Sequence, residues 1–205
     1  MKFFIAAPFV NYLKFNSRSN IIPVTGTWTL KYRGGFIYRM WKIASTMRFD
    51  QKNNGWINKL GLPNPGILIG LKKTKPNEIL SIAAIDNNDF IDLANLIPAN
   101  QSVEINLSCP NLDDKEPISW ASLDRFTSHQ NERNYCIAKI SPETTIDQLS
   151  YLIDKLGFKQ IHCCNTLPVS TGGLSGKALI PYVENLIKLI RQNWGNSIEI
   201  IAGGG

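Results

Sequence analysis

The chain has 205 residues, 43% of them hydrophobic and 19% charged, with a net charge of +6 and a sequence pI of about 9.2. That length buries a real core and predicts one domain over residues 1–205. The basic balance favours anionic ligands, but lysines and arginines are spread along the chain without an RNA-binding or helix-turn-helix signature, which argues against a nucleic-acid module.

No apolar run is long enough to cross a membrane. Residues 1–11 are apolar but lack a signal-peptide cleavage pattern. Cys109, Cys136, Cys163 and Cys164 show no metal-ligand spacing and suit a reducing, cytoplasmic setting.

In chain order, a first strand is predicted over 2–7 and a second, rich in β-branched residues, over 21–29. Residues 34–48 predict an amphipathic helix with Ile37, Trp41 and Ile43 facing inward. Asn53-Asn54-Gly55 reads as a turn, and 58–66 as a loop rich in Gly, Pro and Asn. The run Lys72-Lys73-Thr74-Lys75 reads as a solvated loop before Pro76. A third strand follows over 79–85, then a helix over 89–96 with Asn88 as its cap. A fourth strand covers 103–107. The charged loop 112–117 beside it is a lid candidate. Strands five, six and seven centre on Ile137, Ile161 and Ile200. Helical spacing of apolar residues marks 144–156 and 179–194.

Strands alternating with amphipathic helices imply parallel βαβ units. Several strands end in polar residues. The fourth ends in Asn106-Leu107-Ser108-Cys109-Pro110-Asn111, which packs two carboxamides, a hydroxyl and a thiol into six residues. Pro110 cannot donate to a strand ladder, so pairing should stop there. The fifth strand ends in Lys139, the sixth in Asn165-Thr166 and the seventh in glycines. Such strand ends are where a (β/α) barrel keeps its active site.

With these pieces in order, the chain resembles the FMN-dependent dihydroorotate dehydrogenases. The resemblance runs from about Gly26 to Gly205 and is strongest from Ser81 onward. It rests on Asn58-Lys59-Leu60-Gly61-Leu62-Pro63-Asn64, the motif from Asn106 to Asn111, Lys139, Asn165-Thr166, Gly172-Gly173-Leu174-Ser175-Gly176 and Ala202-Gly203-Gly204-Gly205. It implies a TIM (β/α)8 barrel with FMN at its C-terminal mouth. The last glycine-rich strand corresponds to the seventh, so seven of eight strands are expected and a C-terminal part of the barrel is expected to be missing. The implied activity is flavin-dependent oxidation of dihydroorotate to orotate in pyrimidine synthesis. A sibling FMN oxidoreductase acting on another dihydropyrimidine, or a non-catalytic remnant of the barrel, are the alternatives.

The resemblance assigns Cys109 as the base that takes a proton from the substrate, opposite the flavin. Its cysteine identity is similar to the class 1 soluble enzymes. A thiol titrates near about 8.5, within reach of that task. Lys139 is implied beside the pyrimidine edge of FMN, where reduction builds negative charge. Asn58, Asn106, Asn111 and Asn165 resemble the family's asparagine ring around the substrate, with Thr166 adjacent and Gly61 and Leu62 in the same substrate loop. Asn106, Asn165 and Thr166 also border the cofactor. Ser81, Ser175, Gly176, Gly204 and Gly205 resemble flavin contacts, the glycines leaving amides for its phosphate. No metal ligand set is expected.

One departure stands out. Many soluble relatives carry a lysine at the end of the second strand, and Val24-Thr25-Gly26-Thr27-Trp28-Thr29 holds none. Lys14 is the nearest substitute. The electron acceptor stays open between fumarate, an NAD-linked partner subunit and quinone, and a homodimer is compatible with the resemblance.

Overall fold

The computed structural model describes residues 1–7, 11, 20–107 and 119–204. Within them the elements run β1 (Phe3–Ile5), β2 (Ile21–Trp28), α1 (Phe36–Thr46), β3 (Arg48–Asp50), β4 (Gly55–Asn58), α2 (Ile67–Lys73), β5 (Ile79–Ile82), α3 (Asp89–Leu96) and β6 (Val103–Asn106). The second half holds α4 (Asp124–Thr127), β7 (Cys136–Lys139), α5 (Ile146–Ser150), β8 (Gln160–Cys163), β9 (Leu167–Val169), β10 (Gly172–Gly176), α6 (Ile180–Trp194) and β11 (Glu199–Ala202).

Seven strands form one sheet in the order β1-β2-β5-β6-β7-β8-β11. The pairings β1–β2, β2–β5, β5–β6, β7–β8 and β8–β11 are all parallel. Each sheet strand lies beside its predecessor in that order, as in a (β/α)8 barrel carrying seven of its eight strands. The α/β barrel class read from the sequence is therefore the class observed. The described residues divide into two compact units. One draws on Met1–Gly35, Leu62–Asn106 and Pro117–Cys136, the other on Phe36–Gly61, Leu107–Glu116 and Ile137–Gly205.

In the first unit, β5 and β6 are buried along their whole length. A strand covered on both faces needs a near-continuous apolar run, which residues 79–82 supply apart from Ser81. Trp28, 3% exposed, ends β2 against α2. A Cβ on Gly70 would stand 2.7 Å from the indole ring, so only glycine lets this helix sit so close. Helix α2 is not among the elements read from the sequence. Lys72 and Lys73 occupy its last turn, where the helix dipole favours cations. The lysine run is thus exposed, as expected, but half of it is helical rather than loop. Asn88 precedes α3 in a helical conformation and makes no side-chain cap bond. The carboxylate one residue later holds the turn before the helix instead: Asp89 Oδ2 accepts from Ile85 N at 2.8 Å and Asp86 N at 3.2 Å. Phe90 and Phe126 meet edge-on at 6.4 Å in the core.

In the second unit, Ile137, Ala138, Ile161, Leu149, Leu152 and Ile190 are the buried centre. Thr145 and Gln148 close a reciprocal capping box at the start of α5, and the helix widens into a π turn over Tyr151–Lys155. A second sheet runs antiparallel in the order β3-β4-β10-β9. Here Gly172–Gly176 is a strand, not the loop its glycines suggest, with Gly173 opposite Asn58 and Ser175 opposite Trp56. Helix α1 corrects another expectation. It starts and ends two residues inside the expected bounds, but Ile37 is 83% and Trp41 59% exposed, whereas Arg39 is buried and Ile43 half-buried. The periodicity shows that an apolar face exists and is silent on which side meets the core.

Candidate functional site

The polar strand ends found in the sequence fall in both units. In the first, Ser81 sits third in β5 and is fully buried. Its hydroxyl donates to Glu104 Oε1 at 3.0 Å and lies 3.0 Å from Thr27 Oγ1. A serine has one proton to give, so Thr27 must donate to Ser81. The relay Thr27→Ser81→Glu104 thus ties together β2, β5 and β6. Glu104 is 3% exposed. Alternation along 103–107 makes it look like a solvent-side residue, which hides it from a sequence reading. The useful signal is that a strand buried on both faces has no solvent side, so its carboxyl must find donors. Asn106 closes β6 and is almost buried.

The loop after β4 is pinned by Asn64, 2% exposed. Its Oδ1 accepts from Thr29 N and Gly66 N, and its Nδ2 donates to Thr29 Oγ1 and Leu62 O. Leu62 itself adopts φ 56, held there by this knot.

In the second unit, Lys139 is the last residue of β7 and half-buried. Its carbonyl accepts from Leu107 N at 3.0 Å. Asn165 follows β8, and its amide donates to Ile140 O at 2.9 Å, so the two strand ends are stitched side by side. Thr166 is half-buried next to it. Asn58 Nδ2 donates to Gly173 O at 3.4 Å, and Ser175 Oγ donates to Trp56 O. Gly61 follows in the same unit with φ 69.

The glycines at the ends of β10 and β11 meet. Gly176 N donates to Gly204 O at 3.1 Å, so this amide is not left for a ligand as the sequence suggested. Gly204 has φ 92, and a Cβ there would stand 2.9 Å from Leu179 Cδ1 and 3.1 Å from Cys164 O. A Cβ on Gly203 would run into the His162 imidazole. One glycine of this pair therefore answers to packing, the other to a backbone shape that L-residues avoid.

Three cysteines are described, all buried. Burial pushes the Cys163 thiol up to about 12, with Cys164 adding and Arg191 opposing. Cys164 is pushed up to about 11 by burial, with the Lys139 ammonium pulling back. Cys136 is pushed up to about 12, again by burial, against Arg133. Such thiols stay protonated and inert at neutral pH. Ser108, Cys109, Asn111, the lid candidate 112–117, Lys14 and Gly205 lie outside the described residues.

The family model described as dihydroorotate dehydrogenase matches residues 44–205, well over half of the chain. The chain belongs to the dihydroorotate dehydrogenase family. Its relatives are distant. A Fusobacterium nucleatum dihydroorotate dehydrogenase B (NAD(+)), catalytic subunit, is 27% identical, over 92% of this chain and 76% of its own. The Halalkalibacterium halodurans protein of the same name is 26% identical, over 78% of this chain and 62% of its own. An Aquifex aeolicus protein named for the A (fumarate) type is 24% identical, with the same 78% and 62%. The chain thus spans about three fifths of two of these three dihydroorotate dehydrogenases. Among the described residues no helix is long and apolar enough to cross a membrane. None of their His, Cys, Asp and Glu side chains gather into a group of three or more that could hold a metal ion.

Proposed function

We propose that this chain binds FMN and carries out the flavin-dependent oxidation of dihydroorotate to orotate, as a cytoplasmic enzyme of pyrimidine synthesis. The observation that carries the reading is Lys139 at the end of β7, stitched through Ile140 to Asn165 at the end of β8, within the stretch that matches the family.

The residues suit a flavin mononucleotide. Gly204 closes the end of β11 without a side chain, and a Cβ there would meet Leu179 and Cys164 O. Lys139 offers a cation to a ring that gains negative charge on reduction, a strong form of stabilisation. Asn165 and Thr166 border the same strand end, and Asn106 ends β6. FMN, when bound, supplies the acceptor for the hydride that leaves C6 of the substrate. Asn58, Asn106, Asn111 and Asn165, with Gly61 and Leu62, orient the substrate, since carboxamides match both its imide edge and its carboxylate. Cys109 takes the proton from C5. That role is what the resemblance implies for Cys109, while the buried thiols of Cys136, Cys163 and Cys164 are pushed up and stay protonated. Ser81, tied to Glu104 and Thr27, is the flavin contact that the resemblance implies on β5.

The test is flavin titration of the full-length gene product, then stopped-flow reduction by dihydroorotate. Quenching of flavin fluorescence near one FMN per chain is expected. Cys109→Ala should keep FMN and orotate binding and lose roughly 10² to 10⁴ in reduction rate. A protein that leaves flavin fluorescence unquenched sinks the cofactor reading. An unchanged rate in Cys109→Ala removes the thiol from the mechanism.

A further inference from the structure

Helix α1 is turned inside out. Phe36, Ile37, Met40 and Trp41 are 60%, 83%, 42% and 59% exposed, while Arg39 is buried and Lys42 and Thr46 are half-buried. At about 100° per residue, the exposed positions cover one apolar half of the helix. Tyr38 stacks on Trp41 at 5.7 Å, with Lys42 Nζ 6.0 and 5.9 Å from the two rings. The same unit adds Met47, Phe49 and Trp56, each roughly half exposed. Phe49 and Trp56 face each other across β3 and β4, with rings 5.4 Å apart.

Charge says what covers this surface. Arg48, Lys52 and Lys59 are exposed beside it, and Asp50 is the one acidic residue from 36 to 61. Residues 36–61 hold five basic residues, Arg39, Lys42, Arg48, Lys52 and Lys59, against that single acid. A second copy would bring the same positive charge against it. A nucleic acid would leave Ile37, Met40 and Met47 without partners. Exposed Trp, Tyr, Phe and aliphatic side chains rimmed by Lys and Arg match a bilayer interface with anionic headgroups.

We propose that α1 and the β3–β4 hairpin form a docking surface for an anionic lipid bilayer, on which the chain lies without crossing it. Most of α1 precedes residue 44, where the family match begins, and the inference is independent of the flavin reading. The full-length gene product is tested with phosphatidylcholine vesicles, with and without phosphatidylglycerol. Co-sedimentation with the anionic vesicles is expected, reversed by high salt, with tryptophan emission shifting to shorter wavelength. Ile37→Ser/Trp41→Ser should lower partitioning by about tenfold or more. Arg48→Glu/Lys52→Glu should do the same. All four side chains are exposed, so the thermal midpoint should hold in both variants. No sedimentation, equal binding to neutral vesicles or unchanged variants overturns the proposal. So does a protein dimer that Ile37→Ser/Trp41→Ser dissociates, since the face would then be a protein interface.

Discussion

Ser81→Ala removes one oxygen from a fully buried relay. Alanine keeps the Cβ, so little cavity is left. The loss is in hydrogen bonds. Ser81 gives its proton to Glu104 at 3.0 Å and takes one from Thr27 at 3.0 Å. Glu104 is 3% exposed, so solvent does not replace the missing donor. A buried hydrogen bond contributes about 1 kcal/mol net, and a buried partner left unsatisfied costs about 1–3 kcal/mol. The expected destabilisation is therefore about 2–4 kcal/mol. With a urea slope of about 2 kcal/mol per molar, the unfolding midpoint should fall by about 1–2 M. Urea titration followed by far-UV circular dichroism reads this. A double-mutant cycle with Thr27→Val should show strong non-additivity, because each change strands the same oxygen pair. A midpoint within roughly 0.25 M of wild type, or an additive cycle, would refute the relay as a structural tie.

Three further outcomes follow from the geometry. Lys139→Ala should weaken FMN binding and slow flavin reduction together, measured by fluorescence titration and stopped flow, because the cation favours the reduced ring more than the oxidised one. Gly70→Ala gains up to about 1 kcal/mol of helix propensity, but its Cβ would stand 2.7 Å from the Trp28 ring. Overpacking of about 1–3 kcal/mol should win, so the variant melts earlier. The three described thiols should resist a thiol reagent at pH 8 and react on unfolding. Their folded values lie above the ordinary 9.0, so the unfolded chain loses protons first. Stability should therefore hold below pH 9 and decline as pH rises from 9 toward 12.

Much of the parallel sheet is legible in the sequence, because double-sided burial writes largely apolar runs such as 79–82 and 136–138. Asn106 and Lys139, which end β6 and β7, and Asn165 just past β8 are legible for a related reason. In a barrel, a polar residue closing an apolar strand has one place to go. The antiparallel sheet is not legible. β3 and β9 have three residues each, and β10 is three-fifths glycine. Nothing local marks them as strands, since their reason to pair lies far along the chain. α1 shows the other limit. Its period is correct, yet solvent rather than core faces the apolar side. Glu104 escapes notice because alternation assumes a solvent side that β6 does not have.

The pairing of β4 with β10 sets an order of events during synthesis. Asn58 and Gly173 are 115 residues apart, and their segments belong to one unit that the other unit interrupts in sequence. Closing a loop of that length costs on the order of 4 kcal/mol in chain entropy beyond a constant, and no helix or turn within 36–61 repays it. On the ribosome, the hydrophobic rings at Phe49 and Trp56 must therefore wait until Gly176 has emerged before β4 gains its central partner. For that interval the nascent chain carries an unpaired, aromatic strand edge. Any expression fragment ending before residue 172 would keep that edge permanently, and its aggregation would say nothing about the integrity of the parallel sheet.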